Sequence, residues 1–138
     1  MCLAVYIGLE EPQQTGNWVE GETLLYFEEL SEEEVIIRDK FSKSYIYYVG
    51  ADTGCSCGFD FNSQYFNDPE VESNKKSPQK LIDFIASQTK KSEVELYCCW
   101  EGDWSYPVQE TIEVDITQIA LNNNYFGMQE KRFIRFHQ

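Results

Sequence analysis

Residues 93–100 read Glu-Val-Glu-Leu-Tyr-Cys-Cys-Trp, and this stretch decides the fold class. Alternate residues from Val94 onward fall on one face and the others on the opposite face, which is the period of a β-strand. Cys98 is therefore predicted to point inward, with Cys99 on the other face. The alternation recurs at residues 111–116, and Glu-Gly-Asp at 101–103 is typical of a turn, so the two runs are predicted to form an antiparallel hairpin.

Further strands are predicted where short apolar or alternating runs recur, at residues 2–7, 23–27, 45–49 and 132–136. Strands predicted in this way outnumber helices. We therefore expect a single α+β domain over residues 1–138, built on a mostly antiparallel sheet.

Two segments carry helix patterns. The clearer one covers about residues 77–90, with Ser77 at the N-cap position, proline at the first helical position and one apolar face. A shorter helix is predicted at about residues 32–41, where Ser31 and Glu34 have the spacing of a capping box and the apolar residues 35 and 36 would face inward. The β-branched residues 35–37 fit a strand as an alternative.

Composition and charge limit the partners. The chain has 138 residues, 42% of them hydrophobic, which suffices for one packed domain, and its apolar runs are too short to cross a bilayer. Eleven Lys and Arg against 24 Asp and Glu give a net charge of −13, which repels nucleic acid and anionic membranes. We expect neither nucleic acid nor an anionic membrane as a partner.

The acidic residues crowd the first third of the chain, so they form either solvated faces neutralised by lysines or an acidic docking surface for a protein.

Cysteine usage is consistent with a reducing compartment. The N-terminus lacks the basic region and cleavage site of a secretory signal, so a cytoplasmic location is expected. There, five cysteines are more often free, metal-bound or catalytic than paired in structural disulfides.

The candidate site is the loop Gly54-Cys55-Ser56-Cys57-Gly58-Phe59, in which two thiols are one residue apart between glycines. Glycines allow a tight turn around closely spaced sulfurs, and thiolates are strong metal ligands. A tetrahedral zinc site needs two further donors, for which Cys2, Cys98, Cys99 and His137 are the candidates, and Cys2 and Cys98 are the two predicted here. The sequence therefore predicts a small thiol-containing binding or sensing module with a metal or redox site at this loop, zinc being the candidate ion.

Two other interpretations of the same loop stay open. Cys55 and Cys57 could form a reversible disulfide, which would be strained across one residue and easily reduced. Alternatively the loop is an inert turn in a purely structural or interaction protein, since free cysteines often pack as small hydrophobic groups.

Cys2 supports a separate hypothesis. Removal of Met1 would leave an N-terminal cysteine whose own amine can activate the thiol, as in N-terminal-cysteine hydrolases. A cysteine–histidine catalytic pair would have to use His137, the single histidine of the chain.

The Met-Cys opening, the Gly-Cys-Ser-Cys-Gly-Phe loop at 54–59 and Tyr-Cys-Cys-Trp-Glu-Gly-Asp at 97–103 resemble a group of small bacterial proteins of uncharacterised function. The resemblance spans most of the chain. It implies no activity, cofactor or catalytic residue.

Overall fold

A six-stranded sheet dominates the computed structural model, which describes residues 2–16 and 18–138. The strands are β1 (Leu3–Leu9), β2 (Leu25–Glu28), β3 (Tyr45–Ala51), β4 (Val94–Trp100), β5 (Glu110–Asp115) and β6 (Arg132–His137). Their order in the sheet is β2-β3-β1-β4-β6-β5, and every neighbouring pair is antiparallel apart from the parallel pair of β5 and β6. The predicted α+β class is confirmed, and each predicted strand is present with ends within two residues.

The predicted hairpin between β4 and β5 is wrong. The turn exists, because the backbone nitrogen of Asp103 donates to the carbonyl oxygen of Trp100 over 3.0 Å, but β6 lies between the two strands and β5 pairs parallel with β6. The difference follows from burial. Phe133, Ile134 and Phe136 of β6 are fully buried, whereas all residues of β5 are at least partly exposed. The more apolar strand therefore takes the inner position.

The predicted helix at residues 77–90 is confirmed as α1 (Lys76–Thr89). Ser77 is not its N-cap, because the chain enters α1 from a 3-10 helix (Pro69–Lys75) that is capped by Asp68. Ser77 is buried instead, where its hydroxyl donates to the carbonyl oxygen of Leu24 over 2.7 Å. Within the described residues, a helix long and apolar enough to cross a bilayer is absent.

The shorter predicted helix at residues 32–41 is a 3-10 helix, Val35–Lys40. Both hydrogen bonds of the predicted capping box are present, since the carboxylate of Glu34 accepts from the backbone nitrogen of Ser31 and the backbone nitrogen of Glu34 donates to the Ser31 hydroxyl. They close the turn before the helix, whose N-cap is Glu34 rather than Ser31. The inward residue is Ile37 rather than the predicted 35 and 36, which are exposed. A 3-10 helix has three residues per turn, so the face presented to the core differs from that of an α-helix.

Both faces of the sheet are covered. Leu81, Ile82 and Ile85 of α1 belong to the core cluster that buries one face, together with the Cys98 side of β4. On the opposite face, Tyr97 and Cys99 belong to a second cluster, which also contains Ile37 of the 3-10 helix Val35–Lys40. The alternation predicted for β4 is thus confirmed, and both of its cysteines are buried.

Glu95 illustrates how completely the second face is covered. Its side chain is 1% exposed although it is charged. The carboxylate accepts hydrogen bonds from the backbone nitrogen and hydroxyl of Ser42 and from the backbone nitrogen of Lys43, and the Nε atom of Arg135 lies 3.8 Å away. These partners compensate the buried charge and fix residues 42 and 43 over the sheet.

Candidate functional site

Three of the four predicted ligand cysteines lie together at one end of the sheet. The Sγ atoms of Cys2, Cys55 and Cys57 are all within 4.8 Å of one another, and we call this group the thiol cluster. Cys2 precedes β1, and the loop of Cys55 and Cys57 follows β3. Because β1 and β3 are antiparallel, the start of one strand and the end of the other meet. Sulfurs bound at about 2.3 Å to one zinc ion are about 4 Å apart, so the separations within the cluster are compatible with a single metal site.

Cys98, the fourth predicted ligand, is not part of the thiol cluster. Its side chain is buried on the α1 side of β4, opposite Val5 of β1. Burial raises the pKa of the Cys98 thiol to about 12, and it does the same for Cys99 on the other face. Both thiols are therefore protonated core residues, because alternation along β4 directs them into the two packed layers.

Glycines at both ends of the loop make the close spacing of Cys55 and Cys57 compatible with the fold. Gly54 has a φ of 83°, a left-handed conformation that favours glycine, and its backbone nitrogen closes a turn onto the carbonyl oxygen of Ala51. At Gly58, a Cβ atom would lie 2.6 Å from the Cβ of Ala51. The loop can therefore fold back against the end of β3 only because residue 58 lacks a side chain.

Ser56, between the two cysteines, attaches the loop to the sheet. It is completely buried, and its hydroxyl donates to the carbonyl oxygen of Val49 over 2.5 Å and accepts from the backbone nitrogen of Val5 over 2.9 Å. Its own backbone nitrogen donates to the hydroxyl of Tyr48. Sequence reasoning missed this residue, because a serine in a glycine-rich turn carries no signal that distinguishes a buried hydroxyl from a solvated one.

The thiols of the cluster differ in acidity. For Cys55, burial raises the pKa, but hydrogen bonds from the Thr53 hydroxyl, from the backbone nitrogen of Cys57 and from the thiols of Cys57 and Cys2 outweigh it, so the pKa is lowered overall. The pKa of Cys57 is raised to about 12, first by burial and then by its hydrogen bonds and charge interactions with Cys55 and Cys2. Cys55 is therefore the first of this pair to become a thiolate, with Cys57 as a hydrogen-bond donor to it.

Two clefts flank the thiol cluster. The first, about 220 Å³, is called the Met128 cleft and is lined by Cys2, Leu3, Cys57, Asp60, Trp100 and Met128. The second, about 280 Å³, is called the acidic cleft and is lined by Tyr26, Glu28, Glu34, Tyr48, Gly54, Cys55 and Glu101. The sulfurs are thus reached from one side through a mainly apolar opening and from the other through an opening rich in carboxylates.

The single histidine lies far from Cys2. In the sheet register, His137 follows Phe136, the partner of Val94 at one end of β4, whereas Cys2 precedes Leu3, the partner of Trp100 at the other end. β4 spans seven residues, which corresponds to about 20 Å. His137 therefore cannot serve as the base for the Cys2 thiol in this fold.

Acidic residues of the first third are partly neutralised by lysines from elsewhere in the chain. Lys43 lies 3.0 Å from the carboxylate of Glu10, and Lys91 lies 3.4 Å from that of Glu11. These contacts agree with the interpretation of solvated faces that neutralise one another locally.

No family model, curated protein or solved structure matches this chain. The resemblance to small bacterial proteins with a Gly-Cys-x-Cys-Gly-Phe loop stays a prediction. The function is therefore inferred from the geometry of the site.

Proposed function

We propose that the protein is a small metal-binding or metal-sensing module that holds one thiophilic ion through Cys2, Cys55 and Cys57. The observation that supports this proposal is the mutual separation of the three Sγ atoms, all within 4.8 Å. Thiolate donors select Zn²⁺ or Cu(I) among the common biological ions, and zinc is the ion expected from the sequence. Three protein ligands leave a further coordination position for solvent or another donor.

The exposure of the cluster argues against an inert turn. Cys57 is exposed, and Cys2 and Cys55 are half-buried, whereas Cys98 and Cys99 are buried in the core. Free cysteines that serve only for packing behave as small hydrophobic groups and are usually buried. The three thiols of the cluster contribute little to the core, so their convergence from two distant parts of the chain favours a binding role.

Metal titration of the reduced protein tests the proposal. We expect one Zn²⁺ or Cu(I) per chain, and we expect bound metal to raise the free energy of unfolding by about 2.7 kcal/mol when the free ion is at 100 times its Kd. Cys55→Ser should weaken binding by at least about tenfold, the lower limit for losing even a supporting group of a metal site. Cys98→Ala is the matched control, because it removes a thiol outside the cluster. Equal metal affinity in the two variants would contradict the proposal.

A reversible redox site is the second candidate, supported by the same proximity of the thiols. A hydroperoxide would react with the Cys55 thiolate to give a sulfenic acid and release an alcohol, and a neighbouring thiol would then displace water to form a disulfide. Cys2 is a better partner than Cys57, because a bridge across one residue is strained. The readout is a mass loss of two hydrogens after mild peroxide, reversed by reductant. A metal-free protein that shows this change would favour the redox function over metal binding.

The N-terminal-cysteine hydrolase is the alternative within the enzyme class. It requires that Met1 be removed and that the amine of Cys2 act as the base. Intact-mass measurement of natively expressed protein tests the first requirement. The alternative would replace the metal site if Met1 is absent and if Cys2→Ala abolishes a hydrolase activity that Cys55→Ala retains.

A further inference from the structure

A fourth soft donor, the thioether of Met128, belongs to a residue that lines a cleft beside the thiol cluster. Met128 lines the Met128 cleft together with Cys2 and Cys57, so its side chain borders the same space as two of the three thiols. It is half-buried and packs against the main core cluster. A thioether at this place is a candidate ligand, because methionine sulfur belongs to the same class of soft donors as thiolate.

Arg132 contacts the chain on both sides of Met128. The guanidinium of Arg132 donates to the carbonyl oxygen of Phe126 and, over 3.1 Å, to the side-chain oxygen of Gln129. The two contacts flank Met128, and the one at Phe126 holds a backbone carbonyl oxygen two residues before it. Methionine has three rotatable side-chain bonds, so the sulfur can adjust towards a bound ion without a change of the backbone.

We propose that Met128 supplies a thioether ligand to the metal site and that the site is selective for Cu(I) over Zn²⁺. This inference rests on the proposed metal-binding function. Cu(I) is a soft ion that accepts both thiolate and thioether sulfur, whereas zinc sites in proteins are built from thiolate, imidazole and carboxylate. Leu3 and Trp100 supply apolar walls to the cleft, which disfavour the hard oxygen ligands that compete with a thioether.

Asp60 is the oxygen donor that would instead favour zinc, and its position does not fit as well. It lines the same cleft but is exposed, so that its carboxylate keeps its hydration. Among the Cys, His, Asp and Glu side chains of the described residues, the mutually close group contains the three cysteines without Asp60. The carboxylate of Asp60 therefore lies outside the compact donor group that the three thiols form.

Competition against chromophoric chelators, with Cu(I) under anaerobic conditions and separately with Zn²⁺, tests the inference. Met128→Leu keeps the apolar volume and removes the donor, a swap that protein cores tolerate well. We expect it to lower the Cu(I) affinity by about tenfold, the scale seen when a supporting group of a metal site is lost, and to leave the Zn²⁺ affinity and the stability of the metal-free protein unchanged. Asp60→Asn is the matched control and should change neither affinity.

The outcomes separate this inference from the proposed function. Weaker metal binding in Cys55→Ser together with an unchanged Cu(I) affinity in Met128→Leu would overturn the role of Met128 and keep the thiol site. A weaker Zn²⁺ affinity in Asp60→Asn would also overturn it, because the fourth ligand would then be the carboxylate. An unchanged metal affinity in Cys55→Ser would refute the thiol site itself.

Discussion

The hydroxyl of Ser56 lies 2.9 Å from the backbone nitrogen of Val5 and accepts its hydrogen bond, while donating to the carbonyl oxygen of Val49. Val5 and Val49 are partners in the register of β1 and β3. One side chain therefore bridges the two strands whose ends carry the thiol cluster, and it stands between the two cysteines of the loop. The relative positions of Cys2 and the Cys55–Cys57 pair depend on this contact.

Replacing Ser56 with alanine should destabilise the protein and weaken metal binding. The variant leaves the buried amide of Val5 and the carbonyl of Val49 without their partner, at a cost of about 1–3 kcal/mol. Chemical denaturation and metal titration measure the two effects. Ser73→Ala is the control, because Ser73 is exposed. Equal stabilities of the two variants would show that the bridge contributes nothing.

A side chain at residue 58 should distort the loop. In Gly58→Ala the new Cβ would lie 2.6 Å from the Cβ of Ala51, and overpacking of this kind costs about 1–3 kcal/mol. Adding Ala51→Gly removes the opposing methyl group, so the double variant should recover part of the loss in a double-mutant cycle. If the effects of Gly58→Ala and Ala51→Gly on the free energy of unfolding are strictly additive, the side chains at 58 and 51 do not clash with each other.

The spacing of apolar residues and the turn residues in the sequence were sufficient to predict the strands and α1. They were not sufficient to predict how the strands pair. The partner strand of β5 was mispredicted because an acidic, glycine-containing turn is compatible with any reversal of the chain direction. Whether β5 pairs with β4 or with β6 depends instead on how much of each strand is buried in the folded sheet. The burial of Glu95 could not be predicted for a related reason. The hydrogen bonds from Ser42 and Lys43 that allow its burial come from a distant segment.

The candidate ligands could be identified by residue type, but the sequence did not determine which of them meet. Cys2 and Cys98 were equivalent as partners for the loop. The alternation of β4 predicts that Cys98 points inward. From the sequence alone, however, an inward direction does not tell whether the thiol enters the core under α1 or joins the cysteines of the loop. Met128 and Ser56 carry no spacing pattern, so they became visible only from the cleft and the hydrogen bonds around them.

Thiol labelling of the native, metal-free protein should distinguish two groups of cysteines. Cys55 should be modified rapidly near neutral pH, because its lowered pKa increases the thiolate fraction. Cys98 should resist modification until the protein unfolds, since it is buried and its pKa is raised to about 12. Peptide mapping after a short exposure to a maleimide provides the readout. Labelling of Cys98 at the rate of Cys55 would mean that β4 or its register is incorrect.

Alkaline pH should destabilise the protein through its buried thiols. Cys98 keeps its proton up to about pH 12 when folded, whereas an unfolded thiol loses it near the ordinary value, about 8.5. The stability contribution is therefore complete below about pH 8.5 and is lost as pH rises towards 12, by up to about 1.4 kcal/mol per pH unit for one thiol. Denaturation between about pH 8 and pH 11 should show a shallower loss in Cys98→Ala. Identical slopes would contradict the raised pKa.

X-ray absorption spectroscopy of the metal-loaded protein tests the thiol site most directly, because it counts the ligand atoms around the ion and measures their distances. With Cys2, Cys55 and Cys57 as ligands, the spectrum should show at least three sulfur atoms at about 2.3 Å from the metal. Cys55→Ser should reduce the sulfur count by one. A first coordination shell of nitrogen and oxygen atoms alone, or a sulfur count that Cys55→Ser leaves unchanged, would contradict the proposed site.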